Sequence, residues 1–448
     1  MKLRNTIGNK SFQFWAFYAG LFALSFLIFF WRFPDAFFQA NFYAEDATFS
    51  LKIIDKQFFG ALFERFNGYY IFGLYILTGI SIFFNKIIFA NFLSLPKSIA
   101  LVSYAFLAFS STLPALLFSD RLKKINLAIL TVFSSFVPLI GWDYAVIGGI
   151  GNLKFLFSYI AFLFILYRLL LPEESRRFYI ADFAIFICAY TNPAVYLLVP
   201  AIYSRYLKDF FVRKIEKKEM IKDKSFVSAL VLAAVLVVQF VIVKTQGVPK
   251  LEGYLDGPFD YQKTIEIFLA RPYLYALFYN FFGRFSDLWI LFLSGFAVFF
   301  AWRYGKKKRV YLFSLYSIFA VTLIFVATRP GIHVFFNHYE LPSGPSQFFY
   351  AQNLIFYFLF VWFLQDISDI MSKKRKMLTY IFTVGFLALS FPQSGSFGKN
   401  NFMLKTGTFE ENTKKACADA SEKQERITVG IYPEEKIVEK FPAKLICH

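Results

Sequence analysis

Asn41-Phe-Tyr-Ala-Glu45-Asp46-Ala-Thr-Phe-Ser50 follows directly on the first apolar run of the chain, Phe14 to Phe30, and sets two adjacent carboxylates at its mouth. Charge placed close to hydrocarbon costs several kcal/mol unless it is used or paired. One reading therefore builds a function around Glu45 and Asp46. The plain alternative is a solvated interfacial pair that starts the next helix, since acidic residues favour a helix N-terminus.

The composition sets the context for that stretch. Of 448 residues, 57% are hydrophobic and 22% aromatic, with 65 Phe, a balance that points to a polytopic membrane protein and not to a soluble domain. The net charge of +18 comes from short basic clusters between apolar runs, the signature of cytoplasmic loops. No continuous basic face is offered to a nucleic acid, and none is expected as a partner. Cys188 lies in an apolar run, whereas Cys417 and Cys447 lie in a polar tail and could pair if that tail is extracytoplasmic. Three histidines without clustered ligands give no ordinary zinc site, so no metal or other cofactor is expected, although a divalent ion stays open.

Outward from the acidic pair, the basic start Met1 to Lys10 and the missing cleavage site predict an uncleaved first helix with a cytoplasmic N-terminus. After it, Leu51, Ile54, Phe58 and Leu62 recur at helical spacing, which predicts an amphipathic helix over 47–65 lying on the membrane. Asn67-Gly68-Tyr69-Tyr70 opens the next apolar run, and the basic cluster Arg121, Lys123, Lys124 favours three crossings between 69 and 118. Residues 141–153, with Asp143, Asn152 and the neighbouring Lys154, read either as a substrate-facing loop or as an interfacial turn. Thr191-Asn192-Pro193 interrupts a hairpin over 178–206, and eight Lys/Arg from Arg205 to Lys224 mark a cytoplasmic segment. The expectation is an all-α polytopic membrane protein of roughly 11–13 crossings over residues 1–391, by the length and charge rules for spans. Its outer loops are 32–68, 141–153, 246–286 and 328–347, and 392–448 form a small extracytoplasmic tail with one β-like run, Ile427 to Tyr432.

The uncleaved first helix, Glu45-Asp46, the surface helix and the Gly68-Tyr69-Tyr70 entry together resemble the GT-C superfamily of membrane glycosyltransferases. That resemblance spans most of the chain as architecture and is short as a motif. It implies transfer of a sugar, with inversion, from a polyprenyl-phosphate donor to an envelope glycan, lipid or protein acceptor at the outer face of a bacterial inner membrane. It places the general base on Asp46 with Glu45 beside it, and a raised pKa next to an apolar wall suits that role. The lipid phosphate leaving group needs a cation, for which Arg329 is the first choice and Lys154 a further one. Tyr69, Tyr70, Asp143, Asn152, Tyr339 and Gln347 are the remaining substrate-contact candidates. Where many members carry an Arg-Tyr pair, this chain has Gln347-Phe348. His333, His338 and Glu340 form the one loop cluster that could argue for a metal. The competing classes are a transporter or lipid flippase, for which the intramembrane Asp182 would be the working residue, and a non-catalytic envelope-assembly protein.

Overall fold

The computed structural model describes residues 11–66, 68–137, 139, 146–171, 175–211, 223–246, 299, 303, 308–328, 346–369, 371–390, 407–420, 424–431 and 438–447. The chain is mostly helical. Among the described residues four helices are long and apolar enough to cross a membrane: Phe12–Arg32, Phe92–Phe118, Gly151–Leu170 and Lys224–Ile242.

Helix α1 (Phe12–Arg32) has 21 residues, which at ~1.5 Å per residue matches a hydrocarbon core of ~30 Å. It keeps Leu27 and Trp31 on an exposed face. Its last residue, Arg32, is buried and donates to the carbonyls of Ser135 (2.6 Å) and Val137 (3.0 Å). A short turn, α2 (Asp35–Phe38), leads to α3 (Ala44–Leu62), the amphipathic helix that the apolar spacing predicts. Its phase is not continuous, because Gln57 adopts φ 61° and ψ 165° and breaks the helix there. Before the break Ala47, Phe49, Leu51 and Ile53 are buried; beyond it Ala61 is buried while Phe59 and Phe63 are exposed.

Strands β1 (Arg65–Phe66) and β2 (Tyr69–Tyr70) form a minimal hairpin, with Gly68 at φ +84° in its turn. The chain then enters α4 (Phe72–Ile88) and α5 (Leu95–Phe118). The sequence favours three crossings between 69 and 118. The structure has two α-helices there, because Phe89 to Ser94 form a turn whose 3-10 segment is capped by Asn91, and α5 runs on without a break past Pro114. Ser110 and Thr112 return their hydroxyls to the carbonyls of Phe106 and Ala108, which satisfies polar groups where no water is at hand. Small side chains let helices approach, as at the 2.7 Å contact between Ser25 of α1 and Ser135 of α6 (Lys124–Ser135).

A 3-10 turn, Gly151–Phe155, feeds α7 (Leu156–Leu170), and the expected interrupted hairpin appears as α8 (Phe178–Ala189), a 3-10 turn at Pro193–Leu197, and α9 (Pro200–Phe211). Helices α10 (Lys224–Gln246), α11 (Lys308–Thr328), α12 (Tyr350–Ser368) and α13 (Lys373–Ser390) follow among the described residues. The C-terminal tail is a small unit of α14 (Phe409–Ala418), β3 (Arg426–Gly430), β4 (Val438–Pro442) and α15 (Ala443–Ile446). The β-like run of the sequence is β3, paired antiparallel with β4, so the fold is not purely helical. Cys417 and Cys447 form a disulfide across this unit.

The tail is not a detached appendage. Phe409 donates its N–H to the carbonyl of Ala40 (2.9 Å), and Asn41 Nδ2 to that of Gly407 (3.1 Å). Phe42, Phe92, Phe409 and Phe441 close into an aromatic cluster. Thr48 and Asp55 of α3 bond Glu439 (2.7 Å) and Arg426 (3.0 Å). The tail thus lies along the polar flank of α3.

Candidate functional site

Helix α3 begins with the acidic pair in its first turn. Asp46 is 1% exposed. Its Oδ1 accepts two successive backbone N–H groups, from Ile150 (3.0 Å) and Gly151 (2.7 Å), at the start of the 3-10 turn that leads into α7. Consecutive amides at a helix start form an anion-binding concavity. The sequence around them, Ile147-Gly148-Gly149-Ile150-Gly151, explains how backbone comes so close. A Cβ at 149 would lie 3.0 Å from Asp46 Oδ2, and one at 151 would lie 3.1 Å from Glu45 Oε2. Gly148 has φ +92° and its N–H bonds Ser103 Oγ.

Burial pushes the Asp46 carboxyl up to about 7, the Gly151 N–H works against that, the Glu45 charge adds to it, and the Ile150 N–H and Lys154 pull it back. Desolvation prevails because a carboxylate removed from water loses more than two amide bonds return. Oδ2 has no hydrogen-bond partner among the described residues. A group in this state can exchange a proton near neutral pH.

Glu45 is partly exposed and pairs at 3.7 Å with Lys154 Nζ, which is largely buried. Lys154 lies over the rings of Phe155 (5.5 Å) and Phe66 (5.8 Å), and Lys52 lies 5.9 Å from the centroid of Phe66. Burial first, then the nearby Lys56, lowers the Lys52 ammonium, while Glu64 opposes them. The main chain of Lys154 is fixed by Asn192 Nδ2 (2.9 Å to its carbonyl), which also bonds Ser158 Oγ (3.0 Å). Asn192, read in the sequence only as a bend, is thus a support of the site.

The structure brings together Glu45, Asp46, Asn152 and Lys154, with Asn152 buried in the same 3-10 turn. Tyr69 and Tyr70 are half-buried in β2, where Tyr70 stacks on Tyr190 (5.9 Å) and accepts Arg65 over its ring (5.8 Å). Gln347 falls on the 3-10 turn Ser346–Phe349, whose Phe348 packs on Phe155 (5.0 Å). Asp143, Arg329, Tyr339 and the cluster His333, His338, Glu340 lie outside the described residues. Among the described residues no group of three His, Cys, Asp or Glu could hold a metal. The features missed in the sequence are the Ile150 and Gly151 amides and the Gly149 and Gly151 gaps. Three glycines in four residues, 148–151, were the available signal.

No protein-family model matches the chain, and neither a curated protein nor a solved structure is significantly similar to it.

Proposed function

We propose that the protein is a membrane glycosyltransferase that moves a sugar from a polyprenyl-phosphate donor to an acceptor hydroxyl on an envelope glycan, lipid or protein. The observation that carries this reading is the state of Asp46: buried, held through one oxygen by two backbone amides, and titrating near 7. Oδ2 takes the proton of the acceptor hydroxyl as the acceptor oxygen bonds the anomeric carbon. The bond from that carbon to the phosphate oxygen breaks, its electron pair leaves with the polyprenyl phosphate, and the configuration inverts. Lys154, beside Glu45, is the described cation best placed to meet the leaving phosphate, with Arg329 a second donor. Asn152, Tyr69, Tyr70, Asp143, Tyr339 and Gln347 are proposed to contact substrate, and the chain is proposed to carry the further crossings of a GT-C architecture.

An extracytoplasmic site is supported by two independent features. Basic clusters such as Arg205 to Lys224 mark the cytoplasmic side. The disulfide-bonded tail, which belongs in an oxidising compartment, docks on the very segment that leads into the acidic pair. The pairing of Asp182 with Arg168 supports the transfer reading over a transporter one, for which Asp182 would be the working residue.

The test supplies membranes containing the protein with a panel of polyprenyl-phosphate-linked sugars and measures released polyprenyl phosphate. Release by the native chain and its loss in Asp46→Asn, with membrane insertion unchanged, are expected. Equal release by both would overturn the assignment of Asp46.

A further inference from the structure

A second feature stands apart from the acidic pair and shares no residue with it. Between α3 and α4 runs a cavity of about 930 Å³, walled by Ile53, Ile54 and Phe58 on one side and Ile76, Ile80 and Phe83 on the other. It lies at the upper end of the ~300–1,000 Å³ usual for small-molecule pockets. Three observations say what it takes.

The cavity opens on an apolar face that water would not wet. Ile80 and Phe83, which line it, are themselves exposed, and Phe84, Ile87 and Ile88 continue that face along α4. Its walls are therefore continuous with a surface suited to lipid chains. At one end the lining turns polar, with Asn85, Lys86 and Asn91. Asn85 is satisfied internally by the Asn91 carbonyl (2.9 Å) and Ser98 (3.1 Å), and Lys86 is the one charged group of the lining, without an ion pair among the described residues. Finally, the two non-glycine residues with positive φ among the described residues, Gln57 (61°) and Ala90 (50°), both line this cavity. Such backbone costs ~1–3 kcal/mol per residue and persists only where the surroundings enforce it. At Gln57 the strain re-aims α3 so that Phe58 seats against Gly79, where a Cβ would lie 2.6 Å from the ring. Both residues line the cavity.

We infer that the groove between α3 and α4 is a binding site for one anionic phospholipid of the bilayer, its acyl chains along Ile54, Ile76, Ile80 and Phe83 and its phosphate at Lys86. An apolar trough ending in a single ammonium matches an amphiphile with one anionic head. The lipid would brace the surface helix that carries Glu45 and Asp46 against α4.

The experiment purifies the full chain, reconstitutes it in equimolar phosphatidylglycerol and phosphatidylcholine, and counts retained lipids by native mass spectrometry after mild detergent extraction. One phosphatidylglycerol per chain, in excess over phosphatidylcholine, is expected. Lys86→Glu should lower that retention about fivefold or more, as expected for one interfacial lysine. Ile80→Trp and Phe83→Trp, at exposed positions that spare the fold, should fill the trough and reduce both lipids. Equal retention of the two lipids, retention unchanged in Lys86→Glu or in both tryptophan variants, or a prenyl chain from the host in place of a phospholipid would overturn the inference.

Discussion

Two buried carboxylates show how one chain uses the same side chain for opposite ends. Asp182 on α8 meets the guanidinium of Arg168 on α7 through Nε and Nη2, and takes a further bond from Ser228 (2.6 Å). Arg168 in turn bonds the Ser225 carbonyl (2.8 Å) and Tyr206 (3.3 Å). Every strong donor there is opposed by an acceptor, so the cluster is a staple joining α7, α8, α9 and α10. Asp46 is buried as deeply but, among the described residues, meets no guanidinium or ammonium directly. Its partners are two neutral amides, and its nearest cation is engaged with Glu45. A buried acid bound to a full counter-charge is locked into that pair, whereas one that burial pushes up to about 7 can gain or lose a proton. The first ties helices together, and the second is the carboxylate on which the proposed transfer rests.

The comparison is broken most directly by Asp46→Asn. The amide is nearly isosteric and its oxygen can still accept the Ile150 and Gly151 N–H groups, so folding should persist. Loss of a positioned general base should slow sugar transfer by ~10²–10⁴-fold, read as released polyprenyl phosphate. A variant as active as the native chain would make Asp46 another staple.

Asp182→Asn should do the reverse. Leaving Arg168 buried without its carboxylate should cost ~3–5 kcal/mol, measured by denaturant unfolding in detergent. Turnover per folded molecule should not change. If transfer or substrate uptake instead fell with Asp182 while stability held, the inner cluster would be the functional one.

These two carboxylates also show what the sequence could disclose. Glu45-Asp46 was legible because a charged pair beside a first apolar run is conspicuous, and the surface helix was legible from its spacing as far as Gln57. Beyond that residue the positive φ shifts the helical phase, which no periodicity reveals. Asp182 was the working residue of the competing transporter reading, although Arg168 stands only 14 positions away across the α7–α8 turn. The amides that hold Asp46 are 104 and 105 residues distant, and backbone donors have no signature of their own beyond the glycines that make room for them. The tail's docking, with partners 366 residues apart, was equally out of reach of local pattern.

The glycine gaps sharpen the contrast at a smaller scale. Gly149→Ala places a methyl 3.0 Å from Asp46 Oδ2 and 3.5 Å from Tyr43 Cβ, so a neighbour must shift by a few tenths of an ångström. A cost of ~1–3 kcal/mol is expected for such overpacking, together with slower transfer, because the methyl stands where the acceptor hydroxyl would approach Oδ2. Gly20→Ala, in α1 with nothing within 4 Å of the new Cβ, should be neutral or slightly stabilising. Equal behaviour of the two variants in unfolding and in turnover would remove the tight cradle from the account.

The smallest expected effect concerns pH. With Asp46 titrating near 7, well above the 3.8 of a free aspartate, the folded chain binds a proton that the unfolded chain has released across that window. This group's contribution to stability therefore falls as pH rises from about 4 to about 7 and is level above it. A base must be ionised to act, so transfer should rise with pH through a single step near 7. Lys154 draws that step downward through its charge. In Lys154→Met, with Glu45 unopposed beside Asp46, the step should move to higher pH, whereas the same change at Lys123, which pairs with Asp369 far from the pair, should leave it in place. A rate profile flat between pH 5 and 9 would detach the titration of Asp46 from catalysis, and a step that ignores Lys154 would show the lysine to serve Glu45 alone.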